Sequence, residues 1–229
     1  MKIKIPDAGP VSTVRKKISG KISEIFFSIQ GEGIFAGTPC YFVRFFGCNK
    51  RCRYCDTDYA LKGKFRTMTA SDIKKKIKGN FPVVITGGEP TFQKEFLKEL
   101  VKKLRGRKIF LETNGFGSAK KLIGHFAYAA FHVEPPLENS GKKFIREIAE
   151  KPFSVKIVMT KDVKFSEVKS AARFLKKFSD ATLILQPESK RGTALKKSVE
   201  KSVVYCRKLY PVYPFVRVIP QIHRALALK

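Results

Sequence analysis

This chain is short of cysteine, histidine and acid, and each shortage removes a class of protein. Five cysteines among 229 residues are too few to staple a chain that is long enough to bury a core of its own, which excludes a disulfide framework. The three histidines, His125, His132 and His223, stand far from the clustered cysteines and in no Cys/His spacing signature. No apolar run approaches the about 18 to 20 residues that span a membrane, and the opening Met1-Lys2-Ile3-Lys4-Ile5-Pro6-Asp7 lacks a secretory apolar segment. A cytoplasmic protein is expected, and unpaired thiols suit that reducing compartment.

The shortage of acid leaves 19 Asp and Glu against 47 Lys and Arg, a formal charge of +28. Such a surface can bind nucleic acid, attract small anions, or reflect a lysine-rich background adapted to heat or salt. The lysines recur along the whole chain, and runs such as Lys74-Lys75-Lys76 and Lys102-Lys103 fall on the polar sides of predicted helices. No nucleic-acid motif accompanies them, which argues against direct nucleic-acid binding. With 43% hydrophobic residues, the chain can form a single domain over residues 21–229. Residues 1–20 read as a basic leader without periodicity, expected to be partly mobile.

What is present begins with rhythm. Extended segments are predicted at Lys21–Ile29, Tyr41–Phe46, Val83–Thr86, Lys108–Leu111, Tyr128–Val133, Val155–Met159, Thr182–Leu185 and Val216–Ile219. Helices are predicted over Asp72–Lys78 with Ser71 as N-cap, over the apolar stripe Phe92, Phe96, Leu97, Leu100, Val101 and Leu104, over Glu167–Phe178 and over Ala194–Leu209. The stretch Glu134-Pro135-Pro136-Leu137-Glu138-Asn139-Ser140-Gly141 reads as irregular. Alternating strands and helices call for a parallel α/β sheet with right-handed connections. About six units are too few to close an eight-stranded barrel, so a shortened, partial barrel is expected.

Cys48-Asn49-Lys50-Arg51-Cys52-Arg53-Tyr54-Cys55 packs three thiols into eight residues, and no fourth cysteine lies nearby. Three thiolates can hold three irons of a [4Fe-4S] cubane and leave the fourth iron open to a small chelating molecule. A three-cysteine zinc site completed by a distant histidine is the competing reading. Cys40 opens an apolar run, and Cys206 follows Val199 and Val203 at helical spacing, so both read as core residues. The cysteine loop, Gly87-Gly88-Glu89-Pro90, Glu112-Thr113-Asn114-Gly115 and Gln186-Pro187-Glu188-Ser189 all directly follow predicted strands. In parallel α/β folds those carboxyl ends share one rim, where active sites are built.

The pairing of Cys-x3-Cys-x2-Cys with Gly87-Gly88-Glu89-Pro90 resembles the radical S-adenosylmethionine superfamily, with its partial (β/α)6 barrel. A narrower likeness runs from Lys21 to the C-terminus. Ser28-Ile29-Gln30-Gly31-Glu32-Gly33, Gly37-Thr38-Pro39, Phe42-Val43-Arg44, Cys55-Asp56-Thr57, Glu112-Thr113-Asn114-Gly115, Leu185-Gln186-Pro187 and Ile219-Pro220-Gln221-Ile222-His223 resemble the 7-carboxy-7-deazaguanine synthase family. That resemblance implies a lyase that contracts 6-carboxy-5,6,7,8-tetrahydropterin to 7-carboxy-7-deazaguanine with loss of ammonia, in queuosine and archaeosine biosynthesis. It implies a [4Fe-4S] cluster on Cys48, Cys52 and Cys55, S-adenosylmethionine, magnesium, a reductant such as flavodoxin or ferredoxin, and a homodimer.

By the same likeness, cofactor contacts fall on Tyr54, Cys55, Asp56, Gly88, Glu134, Pro135, Pro136, Gln186, Pro187, Glu188 and Ser189, and magnesium on Thr57. Substrate contacts fall on Ile29, Gln30, Gly31, Glu32, Arg44, Thr86, His223 and Lys229. Arg44 is the partner for the substrate carboxylate, because its planar fork suits bidentate pairing. The chain departs from the family at Glu134-Pro135-Pro136, where relatives resemble Ser-Pro-Lys. Two other readings remain. A glycyl-radical-enzyme activating enzyme would share the cysteine motif but give the Gln30-Gly31-Glu32-Gly33 loop and Arg44 no task. A basic zinc-binding RNA module would be colourless and its RNA affinity salt-sensitive.

Overall fold

The computed structural model describes residues 17–188 and 193–227. Residues 1–16 of the leader, with Ser189 and Lys229, therefore lie outside the described residues. The strands are β1 (Ser19–Ile29), β2 (Pro39–Phe45), β3 (Arg66–Thr69), β4 (Val83–Gly87), β5 (Ile109–Thr113), β6 (Tyr128–Val133), β7 (Phe153–Met159), β8 (Ala181–Pro187) and β9 (Val216–Val218). They form one sheet in the order β3-β1-β2-β4-β5-β6-β7-β8-β9. From β2 to β9 neighbours pair in parallel, while β1 pairs antiparallel with both β2 and β3. The architecture is the expected partial barrel, extended at one edge by an antiparallel pair.

The helices are α1 (Tyr59–Lys62), α2 (Ala70–Lys76), α3 (Lys94–Lys103), α4 (Asn139–Ile148), α5 (Phe165–Leu175), α6 (Thr193–Leu209) and α7 (Ile222–Ala225). The helices α2 to α6 cover the outer face of the sheet. Leu97, Leu100 and Val101 of α3, Ile145 and Ile148 of α4, and Val168 and Leu175 of α5 are fully buried there. They share one core with Val43, Ile85, Leu111, Val155 and Leu183 of the strands.

Several boundaries differ from the sequence reading. β1 starts inside the leader, at Ser19. The first well-capped helix begins at Ala70, because Thr69 rather than Ser71 caps it. Thr69 Oγ1 accepts from Asp72 N, and Asp72 Oδ2 accepts from Thr69 N. Phe92 lies before α3, in a 3-10 turn over Pro90–Gln93, and its ring is exposed beside Phe116. The irregular segment ends at Glu138. From Asn139 the chain is helical, because Phe144, Ile145 and Ile148 at helical spacing outweigh a first turn holding Ser140 and Gly141. On α6 the expected core stripe faces outward: Val199 and Val203 are exposed, and Cys206 is only partly buried against the core.

Candidate active site

The strand period of two builds the site. Phe42, Val84, Phe110 and Tyr128, with Cys40, form a second apolar cluster on the inner face of the barrel. Two residues further along the same strands, on the same face, stand Arg44, Thr86 and Glu112. Two steps beyond Tyr128 stands His132, and two beyond Ser154 of β7 stands Lys156. Arg44 is in register with Thr86, and His132 with Lys156. The apolar floor thus lies beneath a ring of polar side chains, and all five line one cavity with the three cysteines of the motif.

Backbone hydrogen bonds hold the cysteine loop. Gly47 N donates to Ala60 O at 2.9 Å, Glu89 N donates to Gly47 O at 2.8 Å, and Gly88 N donates to Phe45 O at 3.0 Å. A Cβ at Gly88 would sit 2.0 Å from Gly47 O and 3.2 Å from Cys48 Cβ, so only glycine permits this approach. Glu89 is wholly buried. It accepts hydrogen bonds from Thr91 N and Oγ1, Thr113 Oγ1 and Asn114 N, tying the loop after β4 to the loop after β5. Burial raises its pKa against those four donors. Burial, with Glu134 nearby, pushes the Cys52 thiol up to about 12, so a metal that binds there would have to displace its proton into solvent.

The remaining polar groups are paired by type. Glu112 accepts from Gln30 Nε2 at 2.8 Å on one oxygen and from Thr86 Oγ1 at 2.7 Å on the other. Glu32 pairs with Lys156 and accepts from Gln221 Nε2. Burial favours the neutral amine of Lys156, but Glu32 and Glu112 outweigh it and keep the group an ammonium with a raised pKa. Asp56 accepts from Thr57 Oγ1 at 2.6 Å and from Gln221 Nε2 at 2.8 Å, and lies 3.6 Å from His223 Nε2. Burial opposes its charge, yet His223, Thr57 and Lys156 hold its carboxyl below the usual range. Ligand atoms of Glu32, Asp56 and His223 lie within 4.8 Å of one another, a spacing that a cation can bridge. The tail reaches this spot because Ile222 N donates to Gly31 O at 2.8 Å and Gly31 leaves room for the His223 ring, which a Cβ would meet at 2.0 Å.

Arg44 is braced. Its Nε donates to Glu24 Oε1 at 2.8 Å, and its guanidinium lies 5.6 Å from the ring centre of Phe26 and 5.9 Å from that of Tyr59. Tyr59 donates to the same Glu24 oxygen at 2.7 Å. Tyr54 donates to Glu134 Oε1 at 3.1 Å, lies 3.0 Å from His132 Nε2, and stacks on the His132 ring. Burial and the cations Lys156 and Lys50 push His132 down to about 3, so the ring is neutral.

Of the residues expected from sequence, Ile29, Gln30, Gly31, Glu32, Arg44, Cys48, Cys52, Cys55, Asp56, Thr57, Thr86, Gly88, Glu134 and His223 line the cavity. Tyr54 sits behind it, on His132 and Glu134. Pro135, Pro136, Gln186, Pro187 and Glu188 follow β6 or end β8 and are not among its lining residues. Glu112, Asn114, His132 and Lys156 line it and had been given no role. Their signal was available: each continues the inward-facing alternation of its strand past the apolar floor, or directly follows it.

The donor set fits an iron–sulfur cluster with a bound small molecule. Three free thiols line the cavity together with Gly88, where any side chain would crowd Gly47 O and Cys48. At the end of β8, Gln186 Oε1 is buried with no hydrogen-bond partner among the described residues. A partial barrel with this triad on its carboxyl rim defines a radical S-adenosylmethionine protein, and the pattern of the Radical SAM superfamily matches residues 42–184. Similarity extends over nearly the whole chain. It is 32% identical over 222 residues to the 7-carboxy-7-deazaguanine synthase of Aquifex aeolicus, covering 91% of this chain and 94% of that one. To the 7-carboxy-7-deazaguanine synthase of Thermoplasma acidophilum it is 31% identical over 215 residues, covering 90% and 96%. The chain belongs to the 7-carboxy-7-deazaguanine synthase family. Its fold also matches the crystal structure of QueE from Escherichia coli with a TM-score of 0.60 at 20% identity, over 90% of this chain and 95% of that one. No helix among the described residues is long and apolar enough to cross a membrane.

Proposed function

We infer that the protein contracts 6-carboxy-5,6,7,8-tetrahydropterin to 7-carboxy-7-deazaguanine with loss of ammonia, a step toward the 7-deazapurines of queuosine and archaeosine. The observation that carries this reading is one cavity that combines three clustered thiols with the Arg44 fork, the carboxylates of Glu32 and Glu112 and the carboxamide of Gln30. The names of the two relatives support it.

Cys48, Cys52 and Cys55 would hold a [4Fe-4S] cluster, which with S-adenosylmethionine would supply the radical chemistry needed to remove hydrogen from an unactivated position. The chain positions the substrate. Arg44, with Nε committed to Glu24, offers its terminal nitrogens to the substrate carboxylate. Glu112 and Glu32 keep lone pairs for the N–H groups of the pterin's aminopyrimidinone edge, and Gln30, Gly31 and Ile29 present backbone and amide groups beside them. Lys156 pairs with Glu32 and holds its carboxylate in place beside that edge. Thr57 and Asp56, beside His223, offer hard oxygen ligands suited to magnesium. Gly88, Cys55, Tyr54 and Glu134 bound the cofactor side, and Gln186, at the end of β8, offers a buried unpartnered Oε1 as an acceptor for a cofactor donor. Pro135, Pro136, Pro187 and Glu188 belong to the same rim.

A flavodoxin- or ferredoxin-type carrier is the assigned reductant, and the assembly a homodimer in the cytoplasm. The exposed apolar residues Val199, Val203 and Tyr210 on and after α6 support self-association, which light scattering tests. Anaerobic reconstitution with iron and sulfide, followed by incubation with the tetrahydropterin, S-adenosylmethionine, magnesium and a reductant, should yield the deazaguanine acid. Turnover of the cofactor without that product would remove the substrate assignment.

A further inference from the structure

Asn114 has no task in the reading above, yet it is the side chain aimed most directly at a cysteine of the motif. Its Nδ2 lies 3.5 Å from Cys48 Sγ, and the backbone N of Lys50 lies 3.4 Å from the same sulfur. The orientation of the carboxamide is fixed by what it does at its other atoms. Asn114 Oδ1 accepts from Phe116 N at 3.1 Å, and the second Nδ2 hydrogen goes to Asn49 Oδ1 at 3.0 Å. A flipped amide would set two acceptors together and leave Phe116 N facing a donor, so the N–H must face the sulfur. The backbone is fixed as well, because Asn114 N donates to the buried carboxylate of Glu89 at 2.6 Å.

We propose that Asn114 is a positioning residue that tunes the cluster, its amide N–H donating to the Cys48 thiolate and raising the reduction potential. The physics is one-directional. A one-electron reduction from an external mediator adds negative charge that spreads onto the thiolate sulfurs, and an N–H dipole pointing at a sulfur stabilises the more negative state. Metal-bound Cys48 carries no proton, so its sulfur accepts from both N–H groups at once. Because Glu89 anchors Asn114 from the loop that also carries Gly88, the same buried carboxylate that closes the cofactor side sets the donor in place.

The inference rests on the cluster assignment, and the test separates the two. Full-length protein is reconstituted anaerobically, and the midpoint potential is followed by electron paramagnetic resonance in mediated titrations. N114A removes the donor, and N114D replaces it with an oxygen while keeping the acceptor for Phe116 N. The potential should fall in the order wild type, N114A, N114D. The first step should lower the reduced-to-oxidised ratio at fixed poise about tenfold, which is ~59 mV for one electron. Equal potentials in wild type and N114A, or a reversed order, overturn the proposal. If neither variant retains iron, the wild type alone decides. With asparagine labelled by nitrogen-15 in its side-chain amide, pulsed resonance should show coupling between the label and the reduced cluster, and its absence overturns the proposal. Protein without iron and sulfide after reconstitution overturns the cluster assignment itself.

Discussion

Arg44 and Glu24 lie on paired antiparallel strands, and the Nε of one meets a carboxylate oxygen of the other at 2.8 Å on the inner face of the barrel. The pairing uses the inner edge of the guanidinium and leaves the fork for a ligand. Arg44→Ala should therefore weaken binding of the carboxylated pterin by roughly 30- to 150-fold, about 2–3 kcal/mol for a charge-assisted pair. Cleavage of S-adenosylmethionine by the reduced protein in the absence of pterin should change less than about twofold, since Arg44 is assigned to the substrate alone. Comparable losses in both assays would refute its role.

Lys156→Met should leave Glu32 charged in a largely buried position and cost about 3–5 kcal/mol of stability. Adding Glu32→Gln should recover a substantial part of that loss, because the double variant no longer buries an unmatched charge. Urea unfolding of the wild type, both single variants and the double variant measures the coupling, and strict additivity would contradict the pairing.

Glu89→Gln keeps shape but replaces one acceptor oxygen with a donor in a site that presents four donors. The expected loss is about 3 kcal/mol, and at roughly 2–4 °C per kcal/mol for a chain of this size the melting temperature should drop by about 6–12 °C. Differential scanning calorimetry on the anaerobic protein gives the answer; an unchanged transition would mean that the buried carboxylate does not join the two loops.

His132 gives the stability a pH dependence. Its imidazole titrates near 6.5 when exposed and near 3 in the fold. Between those values the unfolded chain binds a proton that the folded chain refuses. Stability from this group is therefore complete above about 6.5 and falls as the pH drops, by up to ~1.4 kcal/mol per unit. His132→Gln should flatten the slope of unfolding free energy against pH in that window. A slope equal to that of the wild type would show that the ring already carries its proton when folded.

Much of the site was legible from sequence because its loops are made of residues with few other uses. Three cysteines in eight residues, and a glycine pair at a strand end, mark their positions without reference to the fold. The helix from Asn139 was hidden because its apolar stripe begins only at Phe144, after two prolines and a glycine. β3 was hidden because Arg66-Thr67-Met68-Thr69 is short and nearly polar. Lys156, Glu112 and His132 carry no role in a reading of the sequence for a different reason. A polar residue on a strand reads as facing solvent unless the sheet is known to curl, and here the inner face of the barrel is where such residues meet. Val199 and Val203 show the converse: helical spacing predicts a stripe, but not which side of it finds a neighbour.

The ends of the cysteine loop are stapled by Gly47 N on Ala60 O, Gly88 N on Phe45 O and Glu89 N on Gly47 O, bonds that use none of the three thiols. The frame of the loop thus depends on main-chain partners and not on its sulfurs. Exposure to air that destroys the inorganic core should bleach the protein while leaving the barrel folded, and fresh iron and sulfide should restore the colour with no refolding step.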